Sequence, residues 1–412
     1  MKHQKLTGFV FVMGLCSTIS SYAQSNKVTT SELSGKVNTV TTAVPFLMIG
    51  PDSRAGAMGD AGVATSPDAN SIHWNPAKLG FIDKKMGLSL SYTPWLRNLV
   101  GDINLAYLAG YYKVGKDATL AASLKYFSLG DITFTDIVGE TIGNFKPNES
   151  AFDIAYARKL SDNFSGGIAI RYISSDLTNG ITLASGGSTK VGRTVAADIS
   201  AYYNNDKLEI GEKKSVLNLG LNISNIGGKI SYTETAQRDF IPIHMRLGAG
   251  LKIIADEYNT IAFTVEAGKL LTPTAPLYAY DSTGAYIYDA DGNKTIEKGK
   301  DPNRPIAEGM LGSFNDAPGG SAEEFKEVTL AGGLEYWYDN LLAIRAGYFN
   351  EAATKGNRKY FTLGVGVKYS SFGLDFSYLI PTVQNNPLQN TLRFTLLFNF
   401  DKKAVKDVPT EE

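Results

Sequence analysis

The sequence predicts an all-β transmembrane fold, a barrel of about fourteen antiparallel strands of the outer-membrane type with a small N-terminal hatch. Two observations carry this expectation. Apolar and polar residues alternate with a period of two over most of the chain from Met86 to Phe400, and the connections between the alternating segments are short and long in turn. A third agrees with them. Past an N-terminal export signal, no stretch approaches the roughly 18 consecutive apolar residues that a membrane-crossing helix needs.

The alternation is clear in Leu217, Leu219, Leu221 and Ile223 against Asn218, Gly220, Asn222 and Ser224. It returns in Ile243, Met245, Leu247, Ala249 and Leu251 against His244, Arg246, Gly248, Gly250 and Lys252. Near the end, Leu392, Phe394, Leu396, Phe398 and Phe400 oppose Arg393, Thr395 and Asn399. One face suits lipid and the other a polar lumen. Strands are expected to begin near residues 86, 102, 118, 150, 164, 191, 215, 242, 258, 326, 341, 359, 372 and 390. The expected short turns lie at 114–117, 160–163, 255–258, 338–341 and 370–371, with a somewhat longer one at 204–214. Long loops are expected at 130–149, 174–190, 226–241, 271–325, 350–358 and 381–389. In such barrels the short turns face the periplasm and the long loops the exterior, so both termini are expected to be periplasmic.

Residues 1–23 read as a secretory signal. Lys2 and Lys5 precede the apolar run Leu6 to Leu15, and Ser21-Tyr22-Ala23 offers small residues for cleavage before Gln24. Cys16 follows Leu15, where a lipobox needs a small residue, so a lipid anchor is not expected. Cleavage would remove this cysteine, the only one in the chain. Residues 24–45 read as a flexible leader rich in Thr, Ser and Lys, and 401–412 as a charged periplasmic tail. The barrel itself spans 86–400.

Composition limits the function classes. The 40 Lys and Arg balance 41 Asp and Glu, which leaves no electrostatic footprint for nucleic acid. The 42 glycines, 22 tyrosines and 20 phenylalanines fit strands and turns. Strand parity places Asp153, Arg171, Asp198, Arg246, Glu266, Glu335, Arg345, Asp375 and Arg393 toward the lumen. Opposed charges in so confined a space read as a paired structural network and a filled lumen rather than an ion-selective pore. Tyr92, Trp95, Tyr107, Tyr111, Tyr336, Trp337, Tyr338 and Tyr369 lie near strand ends and are expected in the interfacial girdles.

Residues 46–85 break the strand pattern. FLMIGPDSRAGAMGDAGVATSPDANSIHWNPAKLGFI combines small residues with Pro51, Pro67 and Pro76, which suits a compact plug entering the lumen from the periplasmic side. Within it, RAGAMGDAGVA followed by SIHWNPAKL resembles the hatch of the FadL-like transporter barrels, a fourteen-stranded family with an Asn-Pro-Ala element matched here by Asn75, Pro76 and Ala77. Trp74, Arg54 and Gly59 belong to the same stretch. The longer string IGPDSRAGAMGDAGVATSPDANSIHWNPAKL is similar to one branch, the PorV (LptO) proteins of the Bacteroidetes type IX secretion system.

That resemblance implies a shuttle. Proteins of this branch take cargo by its C-terminal domain from a translocon barrel of the SprA or Sov type and pass it to a surface complex with a PorU-like sortase, in contact with bilayer and LPS. The loops at 130–149 and 271–325 are the candidate contact surfaces, the latter through Asp281, Tyr286, Asp291 and Phe314. The alternative is a FadL-like transporter of a hydrophobic small molecule, for which Gly166-Gly167 or Gly332-Gly333 could mark a bulged strand. An LPS deacylase has only His73 and His244 to draw on outside the signal, with no GxSxG and no serine assignable to either. No cofactor is expected. Asp289-Ala290-Asp291-Gly292-Asn293 places Ile287 where a calcium loop needs its first ligand, so it reads as an Asp-Gly turn and no metal site is expected.

Overall fold

The computed structural model describes residues 37–97, 100–135, 138–178, 188–233, 238–383 and 386–400. The expected signal, most of the leader and the tail lie outside them. Among the described residues no helix is long and apolar enough to cross a membrane.

Fourteen antiparallel strands close into one barrel. In chain order they are β1 (Met86–Pro94), β2 (Asn104–Val114) and β3 (Ala118–Ser128). A two-stranded hairpin of β4 (Ile132–Thr135) and β5 (Thr141–Phe145) stands outside the ring. The ring resumes with β6 (Asn148–Lys159), β7 (Phe164–Asp176), β8 (Gly192–Ile210), β9 (Lys213–Gly227), β10 (His244–Ile254) and β11 (Asn259–Leu270). A second outlying hairpin, β12 (Leu277–Tyr278) and β13 (Ile296–Lys298), precedes β14 (Thr329–Tyr338), β15 (Leu342–Asn350), β16 (Lys359–Tyr369), β17 (Phe372–Pro381) and β18 (Leu392–Phe400). Closure comes from β1, which pairs with β2 on one side and with β18 on the other, Met86 opposite both Tyr112 and Phe400. A closed ring leaves no unpaired edge, the condition for a sheet to sit in hydrocarbon.

The faces follow the side-chain period. On β1, Leu88, Leu90 and Tyr92 point outward while Ser89, Ser91 and Thr93 are buried inside. Each barrel strand begins within three residues of its expected position. The exception to the expected layout lies at 204–214. There β8 and β9 run on past the ring and meet in the two-residue turn Gly211-Glu212, with φ of 52° and 65°. Two successive left-handed residues make the tight turn that matches strand twist. The charged side chains around it made a ladder look like a loop.

The girdle expectation needs correcting for four residues. Tyr107 and Tyr111 are buried inside the barrel, Trp337 lies under the Arg345 guanidinium, 5.3 Å from its ring centre, and Trp95 packs on the internal core of Val44, Phe46 and Phe127. Their parity, not their nearness to a strand end, decides the face. Tyr92, Tyr338 and Tyr369 do face outward.

Residues 45–82 run inside the ring as short helical turns, Pro45–Met48, Ser53–Gly56, Ser71–Trp74 and Pro76–Phe81. Their entry point differs from the expectation. Asn38 N–H donates to Thr354 O, the Asn38 side chain to Ala275 O, and Ala43 N–H to Phe240 O. All three acceptors belong to the connections 351–358, 271–328 and 228–243, on the long-loop rim. The chain therefore enters the barrel at the long-loop mouth, descends through the lumen and leaves at the short-turn rim to start β1. A plug inserted from the short-turn rim is not what these residues form, and 37–44 are a docked segment rather than a free leader. A proline- and glycine-rich string shows that a segment packs closely but not in which direction it threads.

Candidate functional site, the hatch and the long-loop mouth

The hatch is held by caps within it and by the lumen wall around it. Asp52 accepts from Ala55 N–H at 2.9 Å, capping Ser53–Gly56, and takes the Trp74 indole N–H at 2.6 Å with its other oxygen. Asn75 caps Pro76–Phe81 through Ala77 N–H, while its amide donates to Val63 O and, across to β8, to Ala201 O. Pro76 sits at the first helical position, where no N–H is needed. Thus Asn75, Pro76 and Ala77 form one fastening between hatch and wall. Ala77 N–H also reaches the Ser200 hydroxyl. Lys78 is buried and donates to Gly62 O and the Thr65 hydroxyl at 2.8 Å each.

Glycine enters where backbones meet. Gly59 has a φ of +71°, and a Cβ there would fall 2.5 Å from Tyr348 O on β15. Facing it, a Cβ on Gly347 would lie 2.1 Å from Gly59 N. Gly167 and Gly333 lie against Ala77 and Met58 in the same way. Pairing is uninterrupted at Gly166, Gly167, Gly332 and Gly333, so none marks a bulge; Gly167 and Gly333 serve close packing, while a Cβ on Gly166 or Gly332 would meet nothing nearer than 3.4 Å.

The nine wall charges come together with hatch charges in four groups. Arg171 on β7 binds Asp153 on β6 at 2.6 Å and Asp198 on β8 at 3.2 Å. Arg345 on β15 binds Glu335 on β14 at 2.7 Å and Asp375 on β17 at 2.6 Å. Arg54 of the hatch grips the same Glu335 with two N–H groups and turns a third to Asp68. Arg393 on β18 pairs with Asp60 of the hatch, which also takes the Tyr360 hydroxyl. Glu266 on β11 accepts Gly62 N–H and Val63 N–H and stands 3.7 Å from Arg246, whose guanidinium covers Trp74. Each of the nine wall charges thus has an opposite partner, whereas buried Lys78 is satisfied by a carbonyl and a hydroxyl instead.

The ring's register is interrupted at Ala197/Ile199 and at Asn205/Leu208, between β8 and β9. At the first, Asn225 is left-handed with a φ of 62°, and the Asp198 carboxylate accepts its N–H at 2.8 Å. A carboxylate replaces the ladder acceptor that the irregularity removes. Sequence parity found Asp198 but not the bulge.

Among the described residues neither imidazole ring takes a hydrogen bond from a serine; the Ser224 hydroxyl donates to the His244 backbone carbonyl at 3.3 Å. His244 Nδ1 accepts from Arg246 Nε at 3.0 Å, and His73 stands edge-on to Trp74 and Tyr107.

Over the long-loop mouth, residues 271–328 fold into an ordered cap of hairpin and helices, Ile306–Gly312 and Ser321–Lys326. Asp281 closes one turn through Thr283 and Ala285 N–H. Asp291 lies in the next, where Asp289 accepts its N–H and that of Asn293 and Gly292 has a φ of 80°. Tyr286 packs on Tyr280 with Lys294 3.8 Å above its ring. Phe314, Leu311 and Phe325 are exposed, the last two at 79% and 80%. Sequence reasoning named Phe314 and missed Leu311 and Phe325, whose exposure depends on how two unforeseen helices turn.

The cap is fastened by a buried cluster. Lys269 bridges Glu324 and Glu327 at 3.0 and 2.5 Å, and Lys355 bridges Glu323 and Glu327 at 2.6 and 2.9 Å. Burial pushes the Glu327 carboxyl up, but hydrogen bonds from Lys269, Thr274 and Lys355 outweigh it and hold the group below its ordinary range; Glu323 is held down in the same sense. Carboxyls depressed on folding contribute stability that is complete above their ordinary value and is lost as pH falls through the lower folded value. Hydrogen-exchange protection over 306–326, taken relative to the intrinsic amide rate at each pH, is expected to hold down to about pH 4.5 and to fall below it, and Glu327→Gln is expected to lower it at neutral pH. Unchanged exchange in that variant would show that the cluster does not fasten the cap.

Fold and fastening together define an outer-membrane β-barrel whose lumen is filled by its own N-terminal segment. The family model described as type IX secretion system protein PorV matches residues 32–277. The chain belongs to that family. No curated protein matches it. Solved structures similar to it include the Pseudomonas putida toluene transporter TodX, at 12% identity and a TM-score of 0.46 over 86% of this chain and 99% of that one. The monoaromatic hydrocarbon channel CymD is 16% identical, with a TM-score of 0.46 over 86% and 99%. A FadL homologue of Pseudomonas aeruginosa is 12% identical, with a TM-score of 0.41 over 88% and 100%.

Proposed function

We propose that this outer-membrane component of type IX secretion binds the C-terminal domains of cargo proteins and shuttles them from a SprA- or Sov-like translocon barrel to the attachment complex with its PorU-like sortase. Family membership over residues 32–277 carries the reading. The plugged lumen supports it, because a barrel blocked by a hatch held through paired charges is suited to present a surface rather than to pass cargo through itself. On this reading the short turns are periplasmic, the long loops extracellular, and the cap at 271–328 is the contact surface, with exposed Leu311, Phe314 and Phe325 on its helical part and exposed Tyr280 and Tyr286 on its hairpin as the candidate anchors. Exposed large apolar side chains grouped on one surface commonly mark an interaction site.

The test is to remove Asp281 to Pro302 from the chromosomal copy and to compare the surface and medium proteomes. Proteins sharing one C-terminal domain are expected to fall at least tenfold at the surface and to accumulate in the periplasm. Unchanged export with the barrel at normal abundance would take this part of the cap out of the mechanism.

A further inference from the structure

At the long-loop mouth the chain's own residues 37–44 lie in a cleft, and four observations bear on what that cleft does. The segment is held by backbone: Asn38 N–H donates to Thr354 O at 3.0 Å and Ala43 N–H to Phe240 O at 2.9 Å. Bonds of this kind use main-chain donors and so set no side-chain requirement on the segment that makes them. Side-chain fastening is concentrated in Asn38, whose amide donates to Ala275 O at 3.0 Å and Glu323 Oε1 at 3.1 Å. The segment is also a thin wall. Thr39, Val40, Thr41 and Thr42 line a cavity of about 470 Å³ beneath the cap, and Thr41 to Pro45 line another of about 400 Å³ on the side of Glu149 and Tyr232. Moving the segment would join the two. Finally, it turns into the hatch at Val44, a buried β-branched residue with φ 49° and ψ 49°, a conformation such side chains rarely adopt. Strain of this kind persists where surrounding structure enforces it and marks a place from which a segment can be released. Beyond it, Phe46 and Leu47 are buried, so the hatch keeps its own anchorage.

We propose that residues 37–44 form a displaceable strap, and that the cleft it occupies is a binding site for an extended peptide from another protein, with small hydroxyl and β-branched side chains like those of the strap. The strap is then a built-in competitor, released at Val44 when a partner segment takes its hydrogen bonds. This deepens the secretion reading by giving the cap a specific ligand class, yet its test needs no secretion partner and fails separately.

The probe is a fluorescent octapeptide of the strap sequence, Val-Asn-Thr-Val-Thr-Thr-Ala-Val, added to the purified full chain in detergent. Asn38→Ala removes the side-chain fastening and is expected to raise peptide affinity at least tenfold over the parent. A double variant, Asn38→Cys with Thr354→Cys, is expected to lose binding when oxidised and to recover it with reductant. Where that disulfide does not form, as read by mass, the Asn38→Ala result decides alone. Folding is checked by retention of the fast-migrating unboiled band on gels. No saturable binding in folded Asn38→Ala, or binding undiminished in the oxidised pair, would overturn the proposal. So would full displacement of bound peptide by a twelve-carbon carboxylate, which would assign the cleft to an amphiphile.

Discussion

Gly59→Val is expected to unseat the hatch. The position is left-handed, with a φ of +71°, and a Cβ there would fall 2.5 Å from Tyr348 O, an atom of a barrel strand that cannot swing aside. Backbone strain and overpacking together cost about 3 to 5 kcal/mol. The loss falls on the hatch rather than on the ring, because β15 keeps its ladders to β14 and β16. Purified variant in planar bilayers is expected to pass ions in large, fluctuating steps where the parent is nearly silent, and its unboiled gel band to melt at lower temperature. Gly347→Val, from the other side of the contact, is expected to behave alike. A silent, thermally unchanged Gly59→Val would mean that the hatch does not rest on this contact.

Arg171→Leu has the second large effect. Its guanidinium answers both Asp153 and Asp198, and the second carboxylate also caps the broken ladder at Asn225. Removing it leaves two buried carboxylates facing each other, for which about 3 to 5 kcal/mol is lost. The cost arises from the charges left behind, so Asp153→Asn and Asp198→Asn added to Arg171→Leu should restore more than half of the lost stability, measured as the temperature at which the unboiled band disappears. If the triple variant is as unstable as the single one, Arg171 contributes through packing and hydrogen bonding to Asn225 rather than through charge.

Much of this fold was legible because a membrane barrel obeys one strict rule. Every strand must alternate, so Leu217 to Ser224 or Leu392 to Phe400 announce both the element and its faces, and the same parity marks Asp153 and Arg345 for the interior, where both are buried. What stayed hidden lies where that rule stops. The turn at Gly211-Glu212 was masked by charged strand extensions that need no lipid-facing residues. Tyr107 and Tyr111 have the composition and strand-end position of girdle residues, but their parity turns them inward. The course of residues 37–44 depends on Asn38 meeting Thr354 and Ala275, residues more than two hundred positions away, and no local pattern records such a contact. The exposed Leu311 and Phe325 lie on short helices inside a loop, where neither period of two nor a full helical period has room to declare itself.

The central claim, a surface-presenting component of type IX secretion, is tested most directly by capture. A tagged copy of the chain is extracted from outer membranes in mild detergent and its companions are identified by mass spectrometry. A very large translocon barrel, or secreted proteins sharing one C-terminal domain, is the expected company, lost when 281–302 is removed. Recovery of the barrel alone with bound lipid, from cells that are actively secreting, would contradict it.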